Sequence, residues 1–230
     1  MKLPDKQNTM EAAIAHINDG DTVMIGGFGV SGTPFALIGA MVAHGAGDLT
    51  IVKNDANEPN MGVDHLLRSG LVKRLITTHL GLNTYAIDLM NSGQVDVEFN
   101  AQGILAERIR AGGAGLGGIL SDIGLGTELA EGKQTCVLDG KTFLIEPALR
   151  ANVALLHADR ADIFGNLAYA ATAQNFNPLM AMAADCVIAE AESVLPLGGL
   201  AAGDIHTAGV FVDHIAELQT LSKEYAVVER

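Results

Sequence analysis

The sequence predicts an α/β fold: an open, mostly parallel sheet flanked by helices, with a small β-hairpin inserted in its second half. Short apolar runs of strand length alternate with amphipathic stretches of helix length, the rhythm of parallel strands joined by crossover helices. The composition is 49% hydrophobic with 27 glycines, 4% aromatic residues and no tryptophan, which suits small aliphatic side chains packed between close layers. An Asp139-Gly140 pair between two alternating runs is the signal for a tight hairpin. A chain of 230 residues can bury a large core. With no repeat period and no low-complexity linker, residues 1–230 read as one domain.

Met10 to Ile17 reads as a short helix stopped by Asn18-Asp19-Gly20, which hands the chain to a buried strand at Thr22 to Ile25. A glycine loop, Gly26 to Gly32, follows. Thr33 is expected as the N-cap and Pro34 as the first residue of a helix reaching Ala43. Strands are then expected at Leu49 to Val52, Val72 to Thr77 and Val95 to Phe99, alternating with helices at Met61 to Arg68, Thr84 to Met90 and Ile104 to Arg110. The segment AGGAGLGGILSDIGLGT, Ala111 to Thr127, reads as an irregular loop. TCVLDGKTFLIE is the hairpin, followed by strands at Val153 to His157 and Asn166 to Ala170, a helix at Pro178 to Ala184 and a strand at Val187 to Ala189.

A formal net charge of −13 argues against nucleic acid, whose binding needs clustered Lys and Arg, and against an anionic membrane surface. MKLPDKQNTMEAAIAH lacks the apolar stretch of a signal peptide and no later run is long enough to span a bilayer, so a cytoplasmic location is expected. The two cysteines, Cys136 and Cys186, stand far apart without Cys/His spacing and are expected to be buried, reduced thiols, with no metal site. His79 falls at a strand end, where it could line a cleft or bond locally; His16, His44, His65, His157, His206 and His214 show no ligand pattern.

Gly27, Gly29 and Gly32 satisfy G-x-G-x-x-G, and Asp55 lies near where a ribose-binding acid would stand, about 20 residues on, which admits a dinucleotide oxidoreductase. Against it, a helix starting at Thr33-Pro34 begins after the last glycine, whereas a pyrophosphate seat needs the helix to begin within the fingerprint. A third reading has the glycines serving only tight strand-to-helix packing. Spacing alone leaves the three open.

The longer string DGDTVMIGGFGVSGTP, Asp19 to Pro34, resembles the signature of the first subunit of family I coenzyme A transferases, with Asp19, Gly20, Val23, Met24, Ile25, Gly26, Gly27, Phe28, Gly32 and Pro34 at its fixed positions. AQGILAERIRAGGAGLGG from Ala101, GLGT from Gly124, GNLAY from Gly165 and NFNPLMAMAA from Asn175 resemble further segments of that subunit in the same order, so the resemblance covers nearly the whole chain.

What it implies is exchange of an acyl group between a coenzyme A thioester and a free carboxylate, through anhydride and thioester intermediates on a glutamate. In the family that glutamate belongs to a second, β subunit, within a Ser-Glu-Asn-Gly-like motif that this chain lacks. The nucleophile is therefore expected from the partner in an α2β2 or larger assembly, with no permanent cofactor and the coenzyme A thioester as substrate. Glutamates here, such as Glu107 and Glu131, read as solvated charges.

The resemblance gives Gln102 the role of oxyanion donor and puts Asn54 and Asp55 near the substrate carboxylate. Both segments follow strands, and ligand crevices of open parallel sheets lie at strand carboxyl ends. Gly27, Phe28, Gly29 and Gly32 are expected to shape the acyl and coenzyme A cleft, and Gly112, Gly113 and Gly115 to form a loop against coenzyme A. Relatives acting on short monocarboxylates tend to have Asp at position 55. That acid should repel a second carboxylate, which points to acetate, butyrate and acetoacetyl-CoA, with succinyl-CoA or 3-oxoadipate transfer as alternatives.

Overall fold

A computed structural model describes residues 5–81 and 83–225, and in them strands and crossover helices alternate as the apolar rhythm requires. Helix α1 (Met10–Ile14) is capped by Thr9, whose hydroxyl accepts the Ala12 N–H, and leads to strand β1 (Thr22–Ile25). Helix α2 (Phe35–His44) stops at Gly45, which takes the left-handed φ of 81° that a residue with a Cβ resists. Then come β2 (Leu49–Val52), α3 (Val63–Arg68), β3 (Val72–Thr77), α4 (Thr84–Asn91), β4 (Asp96–Phe99) and α5 (Gln102–Gly113). The Asn83 side chain caps α4 by accepting the Ala86 N–H.

After α5 the chain builds β5 (Gly118–Ser121), β6 (Thr135–Leu138) and β7 (Lys141–Pro147), a separate antiparallel sheet in the order β5-β7-β6. Asp139 and Gly140 both have positive φ, 50° and 75°, as a two-residue turn matching strand twist demands. This sheet leaves Leu120, Val137 and Leu138 exposed.

The main sheet resumes with β8 (Ala151–Asp162), its short antiparallel neighbour β9 (Leu167–Ala168), helix α6 (Asn177–Ala183), β10 (Ala184–Leu195) and β11 (His214–Glu217). Its order is β11-β10-β8-β1-β2-β3-β4, with all these neighbours parallel. Successive side chains of β1 enter opposite layers: Val23 and Ile25 pack with Ile14, Leu37, Leu66 and Leu75, while Met24 packs with Leu105, Ile109, Leu156 and Met180.

Four expectations are corrected. α2 starts at Phe35, and the Thr33 hydroxyl donates to Gly29 O instead of capping the helix. The expected irregular segment is partly regular: Gly112 and Gly113 are the last residues of α5 and only Gly115, φ 72°, is in the turn beyond. A Cβ on Gly112 would stand 1.9 Å from Leu149 O and one on Gly113 would stand 2.7 Å from Met182 Cβ, so these glycines let the helix approach its own neighbours. β8 and β10 each run for 12 residues, far beyond the short runs expected, because they pair in register from Ala151↔Ala184 to Asp162↔Leu195. Cys136 and Cys186 are half-buried, not buried.

Candidate active site

The chain walks outward from β1 through β2, β3 and β4 on one side and through β8, β10 and β11 on the other. The crossovers therefore part at β1, and a crevice opens at its carboxyl end. The glycine loop fills that place. Gly27, Gly29 and Gly32 have φ of 97°, 56° and 73°, and Phe28 N donates to Ser31 O at 3.0 Å to close the turn. A Cβ on Gly27 would lie 2.2 Å from Thr33 Oγ1 and one on Gly32 would lie 2.4 Å from Ala173 O, whereas Gly29 has open space around it. Asn175 Nδ2 donates to Ser31 O and Asn177 Nδ2 to Gly32 O, at 3.0 and 3.1 Å, so the NFNP segment holds the loop from the side.

From the other side the loop is held by Asp55. Its Oδ2 accepts the Gly29 N–H at 2.8 Å and the Asn54 Nδ2 at 2.9 Å, and its Oδ1 accepts the Asn57 N–H at 3.0 Å. The Lys53 ammonium, fully buried and without a hydrogen-bond partner, stands 3.8 Å from Oδ2. Burial alone would raise the Asp55 pKa, but the Lys53 charge, the Asn54 amide and the two backbone N–H groups hold it below the ordinary carboxylate value. Asn57 Nδ2 then donates to Gly29 O at 2.9 Å, so the loop's tip is gripped by both its N–H and its carbonyl.

This anchor settles the direction of two amides. An ionised carboxylate only accepts, so Asn54 must turn its Nδ2 to Asp55 and its Oδ1 outward, and that oxygen accepts the Gln102 Nε2 at 2.7 Å. Gln102 is the first residue of α5 and is exposed, while Asn54 is fully buried. One Nε2 hydrogen is spent on Asn54, and Gln102 lines the cavity beside Phe28. A chain of three side chains thus fixes an amide donor beside an open cleft.

Two cavities meet at Phe28, itself 47% exposed. One, about 230 Å³, is lined by Phe28, Gly29, Asp55, Asn57, Met61 and His79 among others. The second, about 280 Å³, lies between Phe28, Gln102, Gly103, Asn175, Phe176 and Leu179. The glycine loop is the wall between them.

A second buried acid stands on the β8 and β10 side. Glu190 accepts the Leu37 N–H at 2.8 Å and lies 2.9 Å from His157 Nδ1. Tyr225, near the end of the described chain, reaches Glu190 at 3.4 Å and donates its hydroxyl hydrogen to Thr33 O; its neighbour Glu224 accepts the Gly62 N–H at 2.7 Å.

The structure therefore gathers Gln102, Asn54, Asp55, Phe28, Gly29 and the cavity-lining His79 at one edge. Gly112 and Gly113 stand apart, packed against Leu149 and Met182. The dinucleotide reading loses one of its supports, since both Asp55 oxygens are committed to the protein, and the objection to it stands, because the helix begins at Phe35, after the last glycine. The Asp55 carboxylate expected to repel a dicarboxylate has the Lys53 ammonium 3.8 Å away, a cation that opposes that repulsion. Lys53, Asn57, Asn175, Asn177, Glu190 and Tyr225 were not foreseen. A lysine directly between an apolar strand and Asn54-Asp55 was the available signal for the first.

The model of the family described as Coenzyme A transferase matches residues 7–218. The probable coenzyme A transferase subunit alpha of Bacillus subtilis is 46% identical over 222 residues, covering 96% of this chain and 97% of that protein. The acetate CoA-transferase subunit alpha of Escherichia coli K12 is 45% identical, covering 93% of this chain and 97% of that protein. Among solved structures, an acyl-CoA transferase from Escherichia coli O157:H7, in a thioester complex with CoA, superposes with a TM-score of 0.86 at 21% identity; the match covers 99% of this chain and 50% of that one, a likeness of fold.

Proposed function

The chain belongs to the coenzyme A transferase family, and from that premise we propose that it is the α subunit of a two-chain enzyme moving coenzyme A between acetoacetyl-CoA and a short free carboxylate such as acetate or butyrate. The observation that carries the reading is the chain from Asp55 through Asn54 to Gln102, which presents one oriented N–H to the crevice beside the glycine loop. The substrate choice rests on the relative named acetate CoA-transferase and on Phe28 and Met61, apolar residues lining the cavity beside Asp55.

In this reading a glutamate of the β partner attacks the thioester carbonyl and the carbonyl oxygen gains negative charge. Gln102 donates its second N–H to that oxygen, an interaction worth about 3 kcal/mol when it is pre-aligned. Collapse expels the coenzyme A thiolate and leaves an acyl-glutamyl anhydride. The thiolate then attacks the glutamyl carbonyl, releasing the first carboxylate and leaving a glutamyl thioester. An incoming acetate reverses both steps and departs as acetyl-CoA. The chain itself supplies orientation: Asn54 stops the Gln102 amide from turning over, and the loop positions Phe28 between the two cavities.

Purification of the tagged chain from cytoplasmic extract, identification of any equimolar partner and an acetoacetyl-CoA plus acetate assay test this. Transfer that requires a partner bearing the glutamate is the expected result. A solitary chain without exchange, protected from heat by NAD and not by acyl-CoA, would overturn it.

A further inference from the structure

At the opposite edge of the main sheet, the fold brings together three side chains widely separated in the chain. His16 follows α1, Cys186 is the third residue of β10 and His214 opens β11. Each offers one ligand atom, and these atoms all lie within 4.8 Å of one another. The His16 and His214 rings are stacked, 4.3 Å between centroids and 22° between planes. His16 is exposed, which gives an ion a route in, while Cys186 and His214 are half-buried.

The surroundings hold the inner two ligands in place. The Asn8 amide donates to Lys6 O at 3.0 Å and stands 3.0 Å from His214 Nδ1, fixing that ring. Asp213 Oδ2 accepts the Val187 N–H at 2.8 Å, locking the start of β11 to β10 just beside Cys186. We propose that His16, Cys186 and His214 form a binding site for a divalent transition-metal ion of the zinc class, remote from the coenzyme A chemistry.

Two imidazoles and a thiolate make a borderline-soft donor set that suits Zn²⁺, Co²⁺ or Ni²⁺; Mg²⁺ and Ca²⁺ require oxygen ligands. Ligand atoms around tetrahedral zinc stand about 3.5 Å apart, and rotation of the exposed His16 ring supplies the contraction. Both imidazoles ligate as the neutral ring, through a nitrogen that carries no hydrogen. An ion that binds displaces the Cys186 thiol proton. Three protein ligands leave a fourth position to water. The bound ion would tie the end of α1 to β10 and β11 at the sheet edge.

The test is Co²⁺ titration of the chelator-treated full chain carrying Cys136→Ser. The expected result is one equivalent bound, a near-ultraviolet thiolate-to-cobalt charge-transfer band, the intense visible bands of four-coordinate cobalt, and bleaching of both by one equivalent of Zn²⁺. Cys186→Ser should abolish the charge-transfer band and His16→Ala should weaken binding by about 100-fold. Zn²⁺ should also raise the unfolding midpoint of the parent chain and not that of His16→Ala, whose lost side chain is exposed. Absence of the band, its survival in Cys186→Ser, or equal zinc stabilisation of parent and His16→Ala would each overturn the assignment.

Discussion

Two buried carboxylates flank the glycine loop and answer burial in opposite ways. Asp55, beyond β2, is 4% exposed, and Glu190, on β10, is fully buried. Burial favours the protonated form of both, yet the Asp55 pKa is lowered and the Glu190 pKa is raised. Asp55 faces the Lys53 ammonium, whose own pKa burial lowers and Asp55 raises, together with an amide and two backbone N–H groups. For Glu190, burial outweighs the bonds from His157, Leu37 and Tyr225. What decides the charge of a buried acid is the number and kind of donors around it, not the depth at which it lies. The crevice side carries a fixed charge, and the β10 side carries a group that can be neutral.

The comparison can be broken most directly by Asp55→Asn, which leaves Lys53 buried without a counter-charge and should cost about 3–5 kcal/mol in urea unfolding. Adding Lys53→Met should recover part of that loss. If the double variant is as unstable as the single one, the charge pair is not what makes the two acids differ. Next in size, Gln102→Ala should lower kcat by about 100-fold or more while leaving the unfolding curve unchanged, because the side chain is exposed. A matching fall in stability would show that the amide serves the fold.

Glu190→Gln should be milder, about 1 kcal/mol, because His157 can switch tautomer and donate or accept as the new amide requires. A loss equal to that of Asp55→Asn would erase the contrast. The smallest effect is on pH dependence, and it has two signs. For Asp55 the folded pKa lies below the ordinary aspartate value of 3.8, so its contribution is full above 3.8 and is lost as pH falls through the folded value. For Glu190 the folded pKa lies above 4.5, so the folded state binds the extra proton between 4.5 and that value, and stability declines as pH rises across this window. Unfolding midpoints of the parent and the two variants through the acid range check both limbs: Asp55→Asn should flatten the first and Glu190→Gln the second.

Much of this architecture could be read before the coordinates. The apolar runs of β1, β2 and β3 end where periodicity puts them, because each is bounded by turn residues and buried on both faces. The Asp139-Gly140 hairpin is equally local. The lengths of β8 and β10 were not legible, because their alanine-rich sequences become strand through each other's backbone over 12 residues each. In the site, Asn54, Asp55 and Gln102 were found through the family resemblance, which the match over residues 7–218 supports. Their order as a relay was not, since it depends on Lys53 and on which way two amides face. The His16, Cys186 and His214 cluster was hidden from spacing altogether, being assembled by strand pairing.

The grip of Tyr225 on Thr33 and of Glu224 on Gly62 has a consequence in time. A ribosome delivers the glycine loop and β1 to β4 early, but the residues that clamp the loop from the β10 side are made almost 200 positions later than Thr33, 192 residues on in the case of Tyr225. The first half of the molecule therefore lacks these two fastenings until Glu224 and Tyr225 have been made. The N-terminal segment waits as well, since Lys6 donates to Gly209 O and Val212 O. The fastening of the loop is thus among the latest contacts this chain can make.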